Sequence, residues 1–187
     1  ESVGPMRAKL HPRISVTARW LLTIYIGLTL ICTIFMHVAG MGWFDSLCHS
    51  MSTVSTGGFS TKQASIAAFN SPAIEYVTTL FMFMGGINLS LLYLLIFKFR
   101  VRDMYRDSEF RTYLSIVLLF TAVITVGLVF TSDMPVAESF RTALFQVVSI
   151  QTTTGFATAN YVLWLPLPWL MLRALMFFGA PSGSKSR

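Results

Sequence analysis

The chain has 187 residues, 54% of them hydrophobic and only 12% charged, with a net charge of +6. A soluble domain is about one-quarter charged, so this composition excludes an ordinary soluble globule and points to an integral membrane protein, which the helix-length apolar runs below make all-α. The positive charge does not point to nucleic acid, because its clusters mark alternate connections between apolar runs.

Residues 1–19 form a polar, basic lead-in with Pro5, Pro12, Arg7, Lys9, Arg13 and Arg19. No signal peptide is evident, and the opening residues read as the inside of a longer chain. Trp20 to Val38 is an apolar run long enough for a spanning helix, which needs about 20 residues. Gly40-Met41-Gly42 ends it. Phe44 to Ser55 predicts a helix too short to span, with Asp45 placed to cap its start. A Thr/Gly segment and a polar loop follow. Pro72 then opens a second spanning run, Ala73 to Phe97, with Gly85-Gly86 and Asn88-Leu89-Ser90 at mid-depth.

Residues 98–111 form a basic linker, with Lys98, Arg100, Arg102, Arg106 and Arg111 among three acids. Thr112 to Phe130 predicts a further span, Val136 to Ile150 a second short helix, and another Thr/Gly segment comes next. Trp169 to Phe178 is apolar but only half the length of a crossing. The order is thus span, short helix, Thr/Gly loop, span, occurring twice, over 20–97 and 112–187. The positive-inside rule places the N-terminus and the 98–111 linker in the cytoplasm.

The two Thr/Gly segments are the main functional signal. Ser52-Thr53-Val54-Ser55-Thr56-Gly57-Gly58-Phe59-Ser60-Thr61 returns 97 positions later as Ser149-Ile150-Gln151-Thr152-Thr153-Thr154-Gly155-Phe156-Ala157-Thr158. Ser52, Thr56, Gly58, Phe59 and Thr61 are identical in the second copy. A polar, irregular segment between spans cannot face lipid, where each unpaired backbone group costs several kcal/mol. It is tolerated where it is buried in protein or lines a watery path, so two copies in matching places predict a repeated re-entrant pore loop.

Such a loop can hold a dehydrated cation on backbone carbonyls without a fixed charge that would trap it. Turning successive carbonyls to one side needs unusual backbone angles, and Gly58 and Gly155 reach them cheaply. Thr56 and Thr153 can add hydroxyl oxygens at the lower mouth, with Gly57 and Thr154 beside them. Phe59 and Phe156 are expected to pack outward and hold the loops. The short helices would point partially negative C-termini toward the ion. Asp45, Glu75, Asp133 and Glu138, against Lys62 and Arg141, predict a modestly negative outer mouth.

Other polar residues have ordinary readings. His49 reads as a packed or hydrogen-bonded histidine rather than a proton relay, and His37 as an interfacial one. Gly85-Gly86 reads as helix packing, with a hinge as the alternative. Asn88 and Ser90 are expected to face other helices or the pore. Arg173 reaches an interface or pairs with an acid. Cys32 and Cys48 lack metal-ligand spacing and read as free thiols.

The segments Ser55-Thr56-Gly57-Gly58-Phe59-Ser60-Thr61 and Thr152-Thr153-Thr154-Gly155-Phe156-Ala157-Thr158, each after a short helix, resemble the pore loops of the Trk/Ktr/HKT superfamily of potassium transporters. Within it they are most similar to the TrkH family of bacterial membrane subunits. The resemblance extends to Lys9-Leu10-His11-Pro12-Arg13-Ile14, to Phe44-Asp45-Ser46-Leu47-Cys48-His49 and to residues 64–72, and so covers nearly the whole chain. It implies four helix–pore loop–helix repeats around one pseudo-fourfold pore, of which this chain holds the second and most of the third. The selectivity filter would then take Thr56, Gly57, Gly58, Phe59, Thr153, Thr154, Gly155 and Phe156, binding K+ through backbone carbonyls. An intramembrane gating loop would begin near Gly179, Ser182 and Gly183. The resemblance also implies a bacterial inner-membrane location, a homodimer and a cytoplasmic nucleotide-binding TrkA-like regulatory subunit, with no cofactor in this chain.

Two filter strands cannot encircle an ion, so the reading is a fragment of a potassium transporter that does not conduct alone. Two rival readings are a non-conducting structural membrane fragment and an intramembrane enzyme. The enzyme needs a nucleophile with its base, or a metal set, at one depth. No Ser-His, Asp-Asp or His-Glu-x-x-His arrangement is recognisable, so the chain does not read as an enzyme.

Overall fold

The computed structural model describes residues 14–87, Leu92, 107–131, 134–158 and 166–178. These form six α-helices and one 3₁₀ turn, with no strand among the described residues. In chain order they are α1 (Ile14–Val38), α2 (Trp43–Val54), the 3₁₀ turn Ser65–Phe69, α3 (Pro72–Gly85), α4 (Ser108–Thr131), α5 (Val136–Gln151) and α6 (Pro166–Phe178). Two stretches, Arg19–Val38 in α1 and Ser108–Phe130 in α4, are long and apolar enough to cross a membrane.

The distribution of polar residues is inverted relative to a water-soluble globule. On α1, Ile24, Leu28, Cys32 and Met36 recur at four-residue spacing and form a buried stripe. Its other faces leave Leu22, Ile26, Leu30, Ile31 and Ile34 exposed, and α4 likewise exposes Leu118, Leu119, Val126 and Phe130. The short helices are the buried ones, and they carry the polar side chains. Ser46, His49, Ser50, Ser52 and Thr53 of α2 are buried, as are Ser139, Thr142, Gln146, Ser149 and Gln151 of α5. Apolar spans wrapped around polar short helices are what a lipid exterior and a polar interior require.

Local chemistry sets the boundaries. Pro72 stands in the first turn of α3, where its missing N–H costs nothing. Asn70 ends the 3₁₀ turn with φ 44°, a conformation that asparagine tolerates. Asp45 does not cap α2. Gly42 is the cap residue, without a side-chain bond, and Asp45 lies inside the first turn, where it takes a hydrogen bond from Thr61 instead. Helix α4 starts at Ser108, so the last four residues of the expected 98–111 linker are helical. Its turn is opened by Asp107, whose Oδ1 accepts from the N–H of Glu109 at 2.8 Å and of Phe110 at 3.2 Å. Helix α1 begins ahead of the expected Trp20, at Ile14. Residues 1–13, Asn88, Ser90, Arg100, Arg102, Arg106 and Asp133 lie outside the described residues.

Each short helix packs on the span before it, α2 on α1 and α5 on α4. Helix α3 touches both short helices and so joins the two repeats. Gly85 and Gly86 make this join close. A Cβ on Gly85 would sit 3.3 Å from the Val54 carbonyl oxygen at the end of α2. One on Gly86 would sit 2.6 Å from Thr152 Cγ2, just past α5, and 2.8 Å from the Tyr113 hydroxyl of α4. That hydroxyl donates to the Phe83 carbonyl at 3.3 Å. The glycine pair is therefore a packing wedge between the ends of the two short helices.

Candidate functional site

The two Thr/Gly segments follow α2 and α5 directly and leave them by the same route. Ser55 and Thr152 close the helices in right-handed conformation, with their N–H groups on the Met51 and Val148 carbonyls at 3.1 and 2.9 Å. Thr56 and Thr153 then turn left-handed, at φ 51° and 58°. Their N–H groups bond Thr53 and Ile150 at 3.1 and 3.0 Å, while those of Gly57 and Thr154 reach back to Ser52 and Ser149 at 2.8 and 2.9 Å. This paired 5→2 and 6→1 bonding is a Schellman motif. Glycine ordinarily fills its left-handed position. A threonine there is strained by about 1–2 kcal/mol, because its Cβ crowds the following carbonyl. Gly58 and Gly155 turn positive again, at φ 70° and 84°. Every one of these features repeats at the 97-residue offset.

The loops meet at Gly58. A Cβ built there would lie 1.9 Å from the Thr154 carbonyl oxygen, so no side chain fits without displacing backbone. Glycine is required twice over here, by its angle and by the closeness of a carbonyl from the other loop. Gly155 has the angle but no described atom within 4 Å of its Cβ direction.

Side chains fasten the loops behind this contact. Ser149 Oγ donates to the Phe156 carbonyl at 2.7 Å, and the Thr152 and Thr154 hydroxyls lie 2.7 Å apart. The 3₁₀ turn of the first repeat holds the second loop through the Ala67 N–H on the Ala157 carbonyl at 3.2 Å and the Ala157 N–H on Ser65 Oγ at 3.3 Å. His49 is fully buried and hydrogen-bonded, as its sequence reading expects, with Nε2 2.9 Å from Ser60 Oγ. His37 Nδ1 lies 2.9 Å from the Met41 carbonyl, and its ring stacks on Trp43.

The two phenylalanines part company. Phe156 is 1% exposed and packs in the core, whereas Phe59 is 81% exposed. The expectation that both pack as anchors holds for Phe156 alone, because the described residues offer Phe59 no pocket. Of the charges expected at an outer mouth, those among the described residues are paired. Arg141 Nε lies 2.7 Å from Glu75 Oε2 and a second nitrogen 4.0 Å from Glu138, while Lys62 lies 3.8 Å from Asp45. Pairing leaves the net field of these acids weaker than their count suggests. The expected gating residues Gly179, Ser182 and Gly183 lie outside the described residues.

Two of these contacts were beyond sequence reasoning. Arg141–Glu75 joins residues 66 apart and Ala157–Ser65 joins residues 92 apart, and no local pattern announces either.

A repeated helix–loop unit with paired key glycines is a specific arrangement, and the profile of the TrkH family, described as a cation transport protein, matches residues 4–186. The chain belongs to the TrkH family. It is 40% identical over 186 residues to the Trk system potassium uptake protein TrkH of Halomonas elongata, covering 98% of this chain and 38% of that protein. It is 37% identical to the TrkH of Escherichia coli K12, with the same coverages. The crystal structure of the potassium transporter TrkH from Vibrio parahaemolyticus superposes with a TM-score of 0.83 at 34% identity, covering 95% of this chain and 38% of that one. The chain thus spans well under half the length of the TrkH relatives it matches, and its all-helical fold is that of a helical membrane transporter.

Proposed function

We propose that this chain supplies the second and third filter repeats of a potassium-uptake transporter, with Thr56, Gly57, Gly58, Phe59, Thr153, Thr154, Gly155 and Phe156 lining the K+ path by their backbone carbonyls. The observation that carries the reading is the duplicated loop: two Schellman turns with threonine in the strained position, each followed by a positive-φ glycine, meeting at Gly58 and Thr154. Strained backbone at two matched places supports a functional reading, since such strain clusters at functional sites. The names of the TrkH relatives, all potassium uptake proteins, supply the ion.

In this reading the N-terminus and residues 98–111 face the cytoplasm, where the basic linker meets a TrkA-like nucleotide-binding regulator, and the transporter is a homodimer in the inner membrane. Positive charge on alternate connections supports the orientation.

The test is a chimera in which this chain replaces the matching segment of the Vibrio parahaemolyticus transporter, expressed in a host without potassium uptake. Growth at limiting K+ is the expected outcome, lost on Gly58→Val while the protein still inserts. A chimera that inserts but never rescues, or a Gly58→Val form that rescues equally, refutes the proposal.

A further inference from the structure

We propose that His49 is a positioning residue that sets the spacing between the two filter loops and so governs discrimination between K+ and Na+. This rests on the filter reading above.

The bonding directions around the imidazole are fixed. Nδ1 lies 2.7 Å from the Asp45 carbonyl oxygen, which can only accept, so Nδ1 carries the proton. In the neutral ring Nε2 is then the acceptor, and the Ser60 hydroxyl 2.9 Å away donates to it. Ser60 Oγ itself accepts from the Lys62 N–H at 3.1 Å. A single directed chain runs from the Lys62 backbone through Ser60 and His49 to the Asp45 carbonyl. It anchors the first loop, two residues past Gly58, to the first turn of its own short helix.

The same ring faces the second loop. It stands edge-on to Phe69 with centroids 5.3 Å apart, and 5.9 Å from the ring of Phe156, the residue after Gly155. His49 is completely buried, so solvent does not compete for either nitrogen. One side chain therefore touches both loops within two residues of their key glycines. Between these anchor points lies the approach of Gly58 to the Thr154 carbonyl, which has no room for even a methyl group. A shift at Ser60 or Phe156 is transmitted to that approach because each stands only two residues from it, Ser60 from Gly58 and Phe156 from Thr154, along planar peptide links. The position 97 residues on is Gln146, and the Ser60 equivalent is Ala157, so the second repeat lacks this chain of bonds.

The experiment uses the chimera described above, with K+ and Na+ uptake each measured against concentration. His49→Phe keeps an aromatic ring against Phe69 and Phe156 but loses both hydrogen bonds. Ser60→Ala removes only the hydroxyl, and it serves alone if His49→Phe does not fold. Each is expected to reduce the preference for K+ over Na+ by about tenfold, on the order of one hydrogen bond's contribution. The double variant should be no worse than either single one, because both break the same link. His49→Gln, which retains a donor and an acceptor, should restore most of the preference. Variants that lower only the amount of folded protein, with the K+/Na+ ratio unchanged, would make His49 a core residue and overturn the proposal. Additive losses in the double variant would overturn it as well. A wild-type chimera that inserts without transporting refutes the filter reading itself, and this inference with it.

Discussion

The first and second Thr/Gly loops share a backbone and differ in how they are held. Both leave their short helices through the same left-handed threonine and return through a positive-φ glycine. The first loop is then tied by side chains to its own helix, through Ser60 on His49 and Thr61 on Asp45. The second is tied through its backbone, by Ser149 on the Phe156 carbonyl and by the 3₁₀ turn of the preceding repeat on Ala157. Ser52 occupies the Ser149 position in the first repeat, yet its hydroxyl is buried with no hydrogen-bond partner among the described residues. Local conformation follows local sequence here, because the Schellman bonds close within six residues. The fastening follows the neighbours, which differ for the two repeats.

The largest effect that can break this comparison lies at the two glycines. Gly58→Ala and Gly155→Ala share the cost of a positive φ, about 1–2 kcal/mol. Gly58→Ala adds a clash of Cβ with the Thr154 carbonyl at 1.9 Å, and Gly155→Ala meets no described atom. Overpacking of this kind costs typically about 1–3 kcal/mol more. Thermal unfolding of the two variants of this chain, without the other repeats, should therefore show Gly58→Ala to be the less stable by that difference. Equal destabilisation would mean that the loops do not meet at Gly58.

A smaller effect concerns two ion pairs, one across the repeats and one within the first. Glu75 and Arg141 are mostly shielded from solvent and join α3 to α5, across the repeats. Asp45 and Lys62 belong to one repeat, and the lysine is half-exposed. Breaking a fully buried pair costs about 3–5 kcal/mol and an exposed one under about 1 kcal/mol. Glu75→Gln should fall between, at about 1–3 kcal/mol, and change little with salt. Lys62→Gln should cost less than about 1 kcal/mol, a cost that fades as salt rises. Calorimetric melting at low and high ionic strength separates the two, and a salt-insensitive loss at Lys62 would remove the distinction.

These differences track what the sequence made legible. The short helices stand within a residue of their expected limits, α2 at Trp43–Val54 and α5 at Val136–Gln151, because glycine, proline and the apolar pattern mark them locally. The pairing of Gly58 with Gly155 was readable from the constant offset alone. The apposition of Gly58 with Thr154 was not, because it depends on how the two repeats pack. Asp45 looked like a helix cap and instead serves Thr61 and Lys62, since a carboxylate in the first turn is free to bond outward. His49 was readable as buried and bonded, but not as a contact between repeats. Its partner Phe156 is 107 residues away, and ring packing at that separation leaves no periodicity.

The smallest effect tests what the loops have in common. Thr56 and Thr153 hold left-handed conformations that cost a β-branched residue about 1–2 kcal/mol and cost glycine almost nothing. Thr153→Gly should raise the stability of the chimera by about 1 kcal/mol, since its side chain is exposed and makes no hydrogen bond among the described residues. Thr56→Gly should gain less. Its Cγ2 lies 3.6 Å from the Cβ direction of Gly85, where it fills the join between α2 and α3, and that packing is lost with the side chain. If uptake falls in both variants while stability rises, the strain is held for the threonine oxygen or for the rigidity it gives the turn, as the filter reading requires. If uptake is unchanged, threonine at these positions carries no transport role, and the two loops share a shape without sharing a task.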